Sequence, residues 1–173
     1  MLDSLREYGP VALVPLAWTF VTAAHLGYVG AQPVLVAHVV MVALLAAFAA
    51  LSWTDMCEGL LRTWRTVIVA GIPVTLLGVA SFFVAEPWVD PLRTATVVGW
   101  ILLPVYGLYA SAQAVPGAQT PGVYLAGTAL SAAGAVTYLV SVAAPEEATL
   151  VAVLALTMVN VSQTASVANA ARH

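Results

Sequence analysis

The chain has no lysine, a single cysteine and only 8% charged residues in a length of 173. Each shortage excludes something. Without lysine there is no retinal Schiff base and no pyridoxal-phosphate chemistry. With Cys57 alone, an internal disulfide, a CxxC redox pair and a CxxCH haem-attachment site are all ruled out. Five arginines against eight acids give a net charge of −3 without a basic cluster, which argues against nucleic acid as a partner. HExxH, GxSxG and phosphate-loop motifs are missing, so no catalytic constellation declares itself. If the chain is an enzyme, the expectation is a membrane redox protein. The apolar stretches carry no acid and no lysine, which argues against a proton pump built on a carboxylate relay.

What is abundant is apolar sequence, at 62% of residues. Six stretches, 11–29, 34–53, 66–85, 95–114, 122–143 and 148–168, are each about long enough to match a hydrocarbon core of roughly 30 Å. Helices that are apolar all round belong in lipid rather than water. The expected fold is therefore all-α: a polytopic six-helix bundle in a lipid bilayer, forming one domain over residues 1–173. The leader MLDSLREYGP mixes Asp3, Arg6 and Glu7, and the run behind it is too long for the apolar region of a signal peptide. It reads as the start of an uncleaved first span.

Short loops allow orientation to be read from the arginines. Arg6, Arg62, Arg65 and Arg172 fall on one side and Arg93 alone on the other, together with Glu86, Asp90, Glu146 and Glu147. The expectation is a cell-membrane protein with both termini cytoplasmic. Trp53, Trp64 and Trp88 sit at the predicted boundaries, as interfacial indoles should. Within residues 54–65, Glu58 and Arg62 have the spacing of a helical i,i+4 pair, so this segment reads as a helical extension of the third span.

Pro33, Pro87, Pro91, Pro116, Pro121 and Pro145 fall in predicted connections, while Pro15, Pro73 and Pro104 fall inside spans. Gly127, Ser131 and Ala135 form a small-residue row that lets two helix backbones approach closely. The halves also echo one another. LVP at 13–15 resembles LLP at 102–104, and GAQP at 30–33 resembles GAQTP at 117–121, at offsets of 89 and 87–88 residues. Three spans per unit would make this a 3+3 inverted repeat, an arrangement common in transporters, although such short matches in abundant residue types arise cheaply.

Ionisable residues inside the membrane are costly and point to function. His25 lies four residues before the end of the first span, and His38 lies five residues after Pro33. A short loop would put both imidazoles roughly 6–8 Å below the outer boundary. At equal depth they could be axial ligands of a b-type haem, or ligands of a transition metal, with Arg93 meeting a haem propionate. Electron transfer or haem-dependent sensing would follow. Packed neighbouring helices leave little room for a porphyrin, so the spans would splay or two copies would share the haem in a homo-oligomer. The plain alternative is that each histidine hydrogen-bonds a neighbouring helix.

A second polar feature lies toward the cytoplasm. Asn160, Gln163 and Thr164 share one face of the sixth span, and Tyr106, Tyr109 and Gln113 share one face of the fourth. They could line a pocket for a small neutral molecule, making the chain a small transporter or the binding component of one. Amides and hydroxyls also serve as interhelical glue, each worth about 1 kcal/mol or less. A structural subunit of a larger membrane complex is the third reading.

Overall fold

The computed structural model describes residues 2–114, 121–144 and 148–170, with side chains from residue 12 onward. Arg172, Glu146, Glu147, Pro116, Pro145 and most of the GAQTP segment lie outside the described residues. Among the described residues there are six helices: α1 (Leu2–His25), α2 (Ala31–Leu51), α3 (Gly59–Ala80), α4 (Val89–Ala114), α5 (Pro121–Ala143) and α6 (Ala148–Ala170). No strand occurs among the described residues. Helices α2 to α6 are long and apolar enough to cross a membrane, and α1 adds a shorter apolar segment, Ala12–His25. This is the architecture of a multi-pass helical membrane protein.

Helix ends follow local chemistry more closely than hydropathy. α1 stops at His25 rather than at residue 29 because Gly27 adopts φ 77°. The Gly27 amide donates to Ala24 (3.1 Å) and the Tyr28 amide to Ala23 (3.0 Å), which together form a Schellman C-cap. α3 starts at Gly59, so of the 54–65 segment expected to extend the third span only residues 59–65 are helical, with Glu58 as an extended N-cap. It ends at Ala80, where the Ser81 hydroxyl takes the Gly78 carbonyl and the next amides bond three residues back. α4 begins at Val89, six residues before the apolar run. Asp90 complements the positive end of the helix, and Pro91 loses nothing in a first turn whose amides have no helical partner.

The helices pack in the order α2, α3, α4, α5, α6, α1, with α4 also touching α6. α1 and α2, although consecutive, do not pack as a pair. Under the 3+3 repeat, α1 and α2 correspond to α4 and α5, which do pack, so the two halves differ at that step. The tightest seam is α5 on α6. Gly127 lies under Ser166, Gly134 lies under Val159, and the Ser131 and Ser162 hydroxyls meet at 2.6 Å. In lipid, close approach and hydrogen bonding of this kind hold helices together, since burial from water does not. Trp18 of α1 joins Ile101, Ala135, Tyr138, Ala155, Leu156 and Val159 in the buried core.

Two expected surface features are arranged differently. Trp64 is tied into the seam with α4: its ring tip fills the space over Gly107, and its indole N–H donates to Ser111 at 3.3 Å. Glu58 and Arg62 meet through the backbone alone, the Arg62 amide donating to the Glu58 carbonyl at 3.3 Å. Among the described residues the one ion pair is Arg93 with Asp90, at 3.8 Å.

Candidate functional site

The chemistry-bearing side chains gather at one end of the bundle, where α1, α3 and α5 finish and α2 and α4 begin. His25 is the last residue of α1. Its Nδ1 lies 2.9 Å from the Val21 carbonyl, and its Nε2 lies 3.0 Å from the Tyr138 hydroxyl on α5. A carbonyl can only accept, so Nδ1 carries the proton and neutral Nε2 accepts from Tyr138. The rings meet edge to face with centroids 5.6 Å apart. The imidazole thus joins two helices that are not neighbours in sequence.

His38 is held by a parallel logic on a different helix. Its Nδ1 donates to the Val34 carbonyl at 2.8 Å, which again leaves Nε2 as the lone-pair nitrogen. The ring edge occupies the space where a side chain at Gly78 would lie, with the Thr96 methyl beside it. Phe82 packs against the imidazole at 6.3 Å between centroids, and the Arg93 guanidinium lies 5.7 Å from that same phenyl ring.

The two histidines therefore share an end of the bundle but not a neighbour. His25 closes α1, whereas α2 opens at Ala31, seven residues before His38. The expected equal depth rested on span ends that the Gly27 cap and the Gly30 N-cap move. Each ring is engaged by its own surroundings, Tyr138 for one and α3 for the other. Among the described residues, no three of His, Cys, Asp and Glu come together to hold a metal ion.

The polar rows of the fourth and sixth spans are likewise not brought together. Tyr106 and Tyr109 are about half exposed, at 53% and 52%, and Gln113 is exposed. Gln163 is buried and faces α1. It accepts from the Trp18 indole at 2.9 Å and donates to the Ile101 carbonyl of α4 at 3.5 Å. Asn160 donates to Thr19 of α1 at 3.5 Å and accepts from Thr164 at 3.1 Å. This row ties α1 onto α6, as glue.

Sequence reasoning missed Trp18 and Tyr138 as partners of Gln163 and His25. A signal existed for one side: Trp18 and His25 are two helical turns apart and share a face of α1. A second missed feature is a groove of about 560 Å³ between the start of α4 and the end of α5. Asp90, Pro91, Thr94, Ala95, Val98, Leu139 and Val142 line it. Its walls are apolar and its polar groups lie toward one end. No family model matches the chain, and no curated protein or solved structure matches it.

Proposed function

We propose that the chain is a membrane-embedded binding component for a small amphipathic molecule, taken up from the bilayer between α4 and α5. The groove carries this reading. Val98, Leu139 and Val142 offer an apolar wall, while the Asp90 carboxylate and Thr94 hydroxyl sit at the α4 start. A ligand with an apolar body and a cationic or hydrogen-bond-donating head fits that distribution, since few convergent polar groups in an apolar cleft fix orientation. Arg93, 3.8 Å from Asp90, restrains the carboxylate and limits the charge the head needs. Compared with the pocket expected between the fourth and sixth helices, this reading keeps the class of function and moves the site.

Haem is a second reading, favoured by one observation: both histidines have Nδ1 against a backbone carbonyl, so that Nε2 is the lone-pair nitrogen. Metal-ligating imidazoles are oriented by such bonds. Ligation would require His25 to give up Tyr138 and His38 to leave Gly78. One preparation separates the readings. The protein is purified in mild detergent, its absorption spectrum recorded, and its organic extract analysed by mass spectrometry. The expected result is a retained amphiphile without a Soret band, lost on Ala95→Trp, which fills the groove. Retention by A95W at the wild-type level overturns the groove, and a Soret band lost in His25→Ala and His38→Ala establishes haem.

The same reading places both termini in the cytoplasm of a cell-membrane protein, on the arginine asymmetry. Cys57, which is exposed near Arg65, then faces inward. An impermeant thiol reagent should leave Cys57 unlabelled on intact cells and label a Glu86→Cys variant in a Cys57→Ser background. The opposite pattern inverts the topology.

A further inference from the structure

The attachment of α2 to the bundle has an unusual composition. α2 is the most hydropathic of the five long spans and the least buried, and α3 is the one helix it packs against extensively. Every other adjacent pair of helices in the fold, α4 with α5 apart, is joined by a side-chain hydrogen bond: Trp18 to Gln163, Ser131 to Ser162, Trp100 to Thr75. Among the described residues none ties α2 to another helix. The seam is made of packing: Leu45 against Gly71, and His38 over Gly78. His38 is also the one ionisable residue in α2.

From this geometry we infer that His38 is a protonation-controlled latch, holding α2 against α3 while neutral and releasing it when charged. Histidine is the side chain whose charge ordinarily changes between pH 5 and 8. In the neutral ring the proton on Nδ1 is satisfied by Val34, and the bare Nε2 edge fits against glycine without needing a donor. Protonation adds a second N–H at that edge. The atoms there are the Gly78 backbone and the Thr96 methyl, and Nδ1 to Val34 is the one hydrogen bond the His38 ring makes among the described residues. The new donor enters a seam where Nε2 has no hydrogen bond in place, and an unsatisfied donor in an apolar place is costly.

Charge acts in the same direction. The groups facing His38 are Gly78 and Phe82 from α3 and Thr96 from α4, none of them acidic. Arg93 on α4 lies across the same phenyl ring that His38 touches, 5.7 Å from its centroid. Its carboxylate partner Asp90 is engaged with it at 3.8 Å. An imidazolium would therefore share Phe82 with a guanidinium and meet no acid among the groups packed on it. Because α2 is fastened by packing alone, the lowest-cost response is for α2 to move off α3 and carry the ring to headgroup water. The latch does not depend on what occupies the groove.

The test uses the full chain in lipid nanodiscs, with Cys57→Ser and spin labels at Val40→Cys on α2 and Leu154→Cys on α6, both exposed positions. Between pH 8 and pH 5 the distance distribution should lengthen and broaden, reversibly. H38Q and H38F should hold the pH 8 distribution at both values, and two replacements guard against one of them misfolding. H25Q should keep the shift. No change in the unsubstituted protein overturns the latch. So does a shift that persists in H38Q and H38F, or one that disappears in H25Q, which would assign the response to the His25–Tyr138 pair.

Discussion

Replacing Gly134 by valine should leave no recoverable folded bundle, whereas Gly122→Ala should leave stability unchanged or slightly raised. A Cβ at Gly134 would lie 2.6 Å from the Val159 side chain and 3.1 Å from the Ala155 carbonyl oxygen. The side chain could turn aside, but the backbone oxygen belongs to α6 and moves only with the whole helix. Overpacking of a tight core costs typically about 1–3 kcal/mol even when neighbours adjust, and a β-branched side chain here adds two further carbons. Separating α5 from α6 would also break the bond between Ser131 and Ser162, one turn away. Gly122 is the contrast, since nothing lies within 4 Å of its would-be Cβ. Alanine there gains helix propensity of up to about 1 kcal/mol. Reversible unfolding by a denaturing detergent in bicelles measures both variants, with Gly134→Ala expected in between. Equal midpoints for G134A and G122A would mean that the α5–α6 seam is not what holds the fold.

The solvent and the number of helices were legible because they depend on composition within single segments. A run of about twenty apolar residues commits itself to lipid whatever its neighbours do. The row Gly127, Ser131 and Ala135 was legible for a similar reason, since small residues at helical spacing have few uses other than close approach. Helix ends were less so. The rule applied to them was hydropathy, and the ends are set by Gly27, by Ser81 and by the charged first turn of α4. Those signals are in the sequence and simply outrank the apolar count.

The site was the least legible part, and the histidines show why. Equal depth was read from apolar span ends on either side of a short loop, and contact between the two spans from their being consecutive. α1 instead packs on α6, at the far end of the chain, because Trp18 and Gln163 complement each other across 145 residues. Once α1 is drawn there, His25 meets Tyr138 and His38 is left to α3. Amphipathic pattern says which face of a helix is polar, not which helix satisfies it. The outward turn of Tyr106 and Tyr109 has the same origin, since Trp64 over Gly107 and its bond to Ser111 fix the neighbouring face of α4 against α3.

Trp18→Ala should cost the bundle about 3 kcal/mol, the low end of the range for removing a buried aromatic ring. The unfolded reference in lipid is apolar too, so the loss is one of contacts and of a cavity rather than of transfer from water. Trp18 is buried against Ile101, Leu156 and Val159, where helices α1, α4 and α6 converge. The indole N–H is a donor only, so it must be met by the Gln163 carbonyl oxygen, and that in turn aims the Gln163 amide at Ile101. Removing either partner leaves a buried polar group alone. Trp18→Phe and Gln163→Leu should therefore each destabilise, while the double variant should lose less than their sum. Coupling of about 0.6 kcal/mol, reaching about 1.7 at most, is what interhelical hydrogen bonds yield in such cycles. Additive costs would make the pair a product of packing rather than a bond. Loss of the pair should also expose itself locally: α1 has its main contact with α6, so protease access and hydrogen exchange should rise in α1 before any change in α5. A variant in which α5 and α6 loosen together with α1 would show instead that the six helices unfold as one unit.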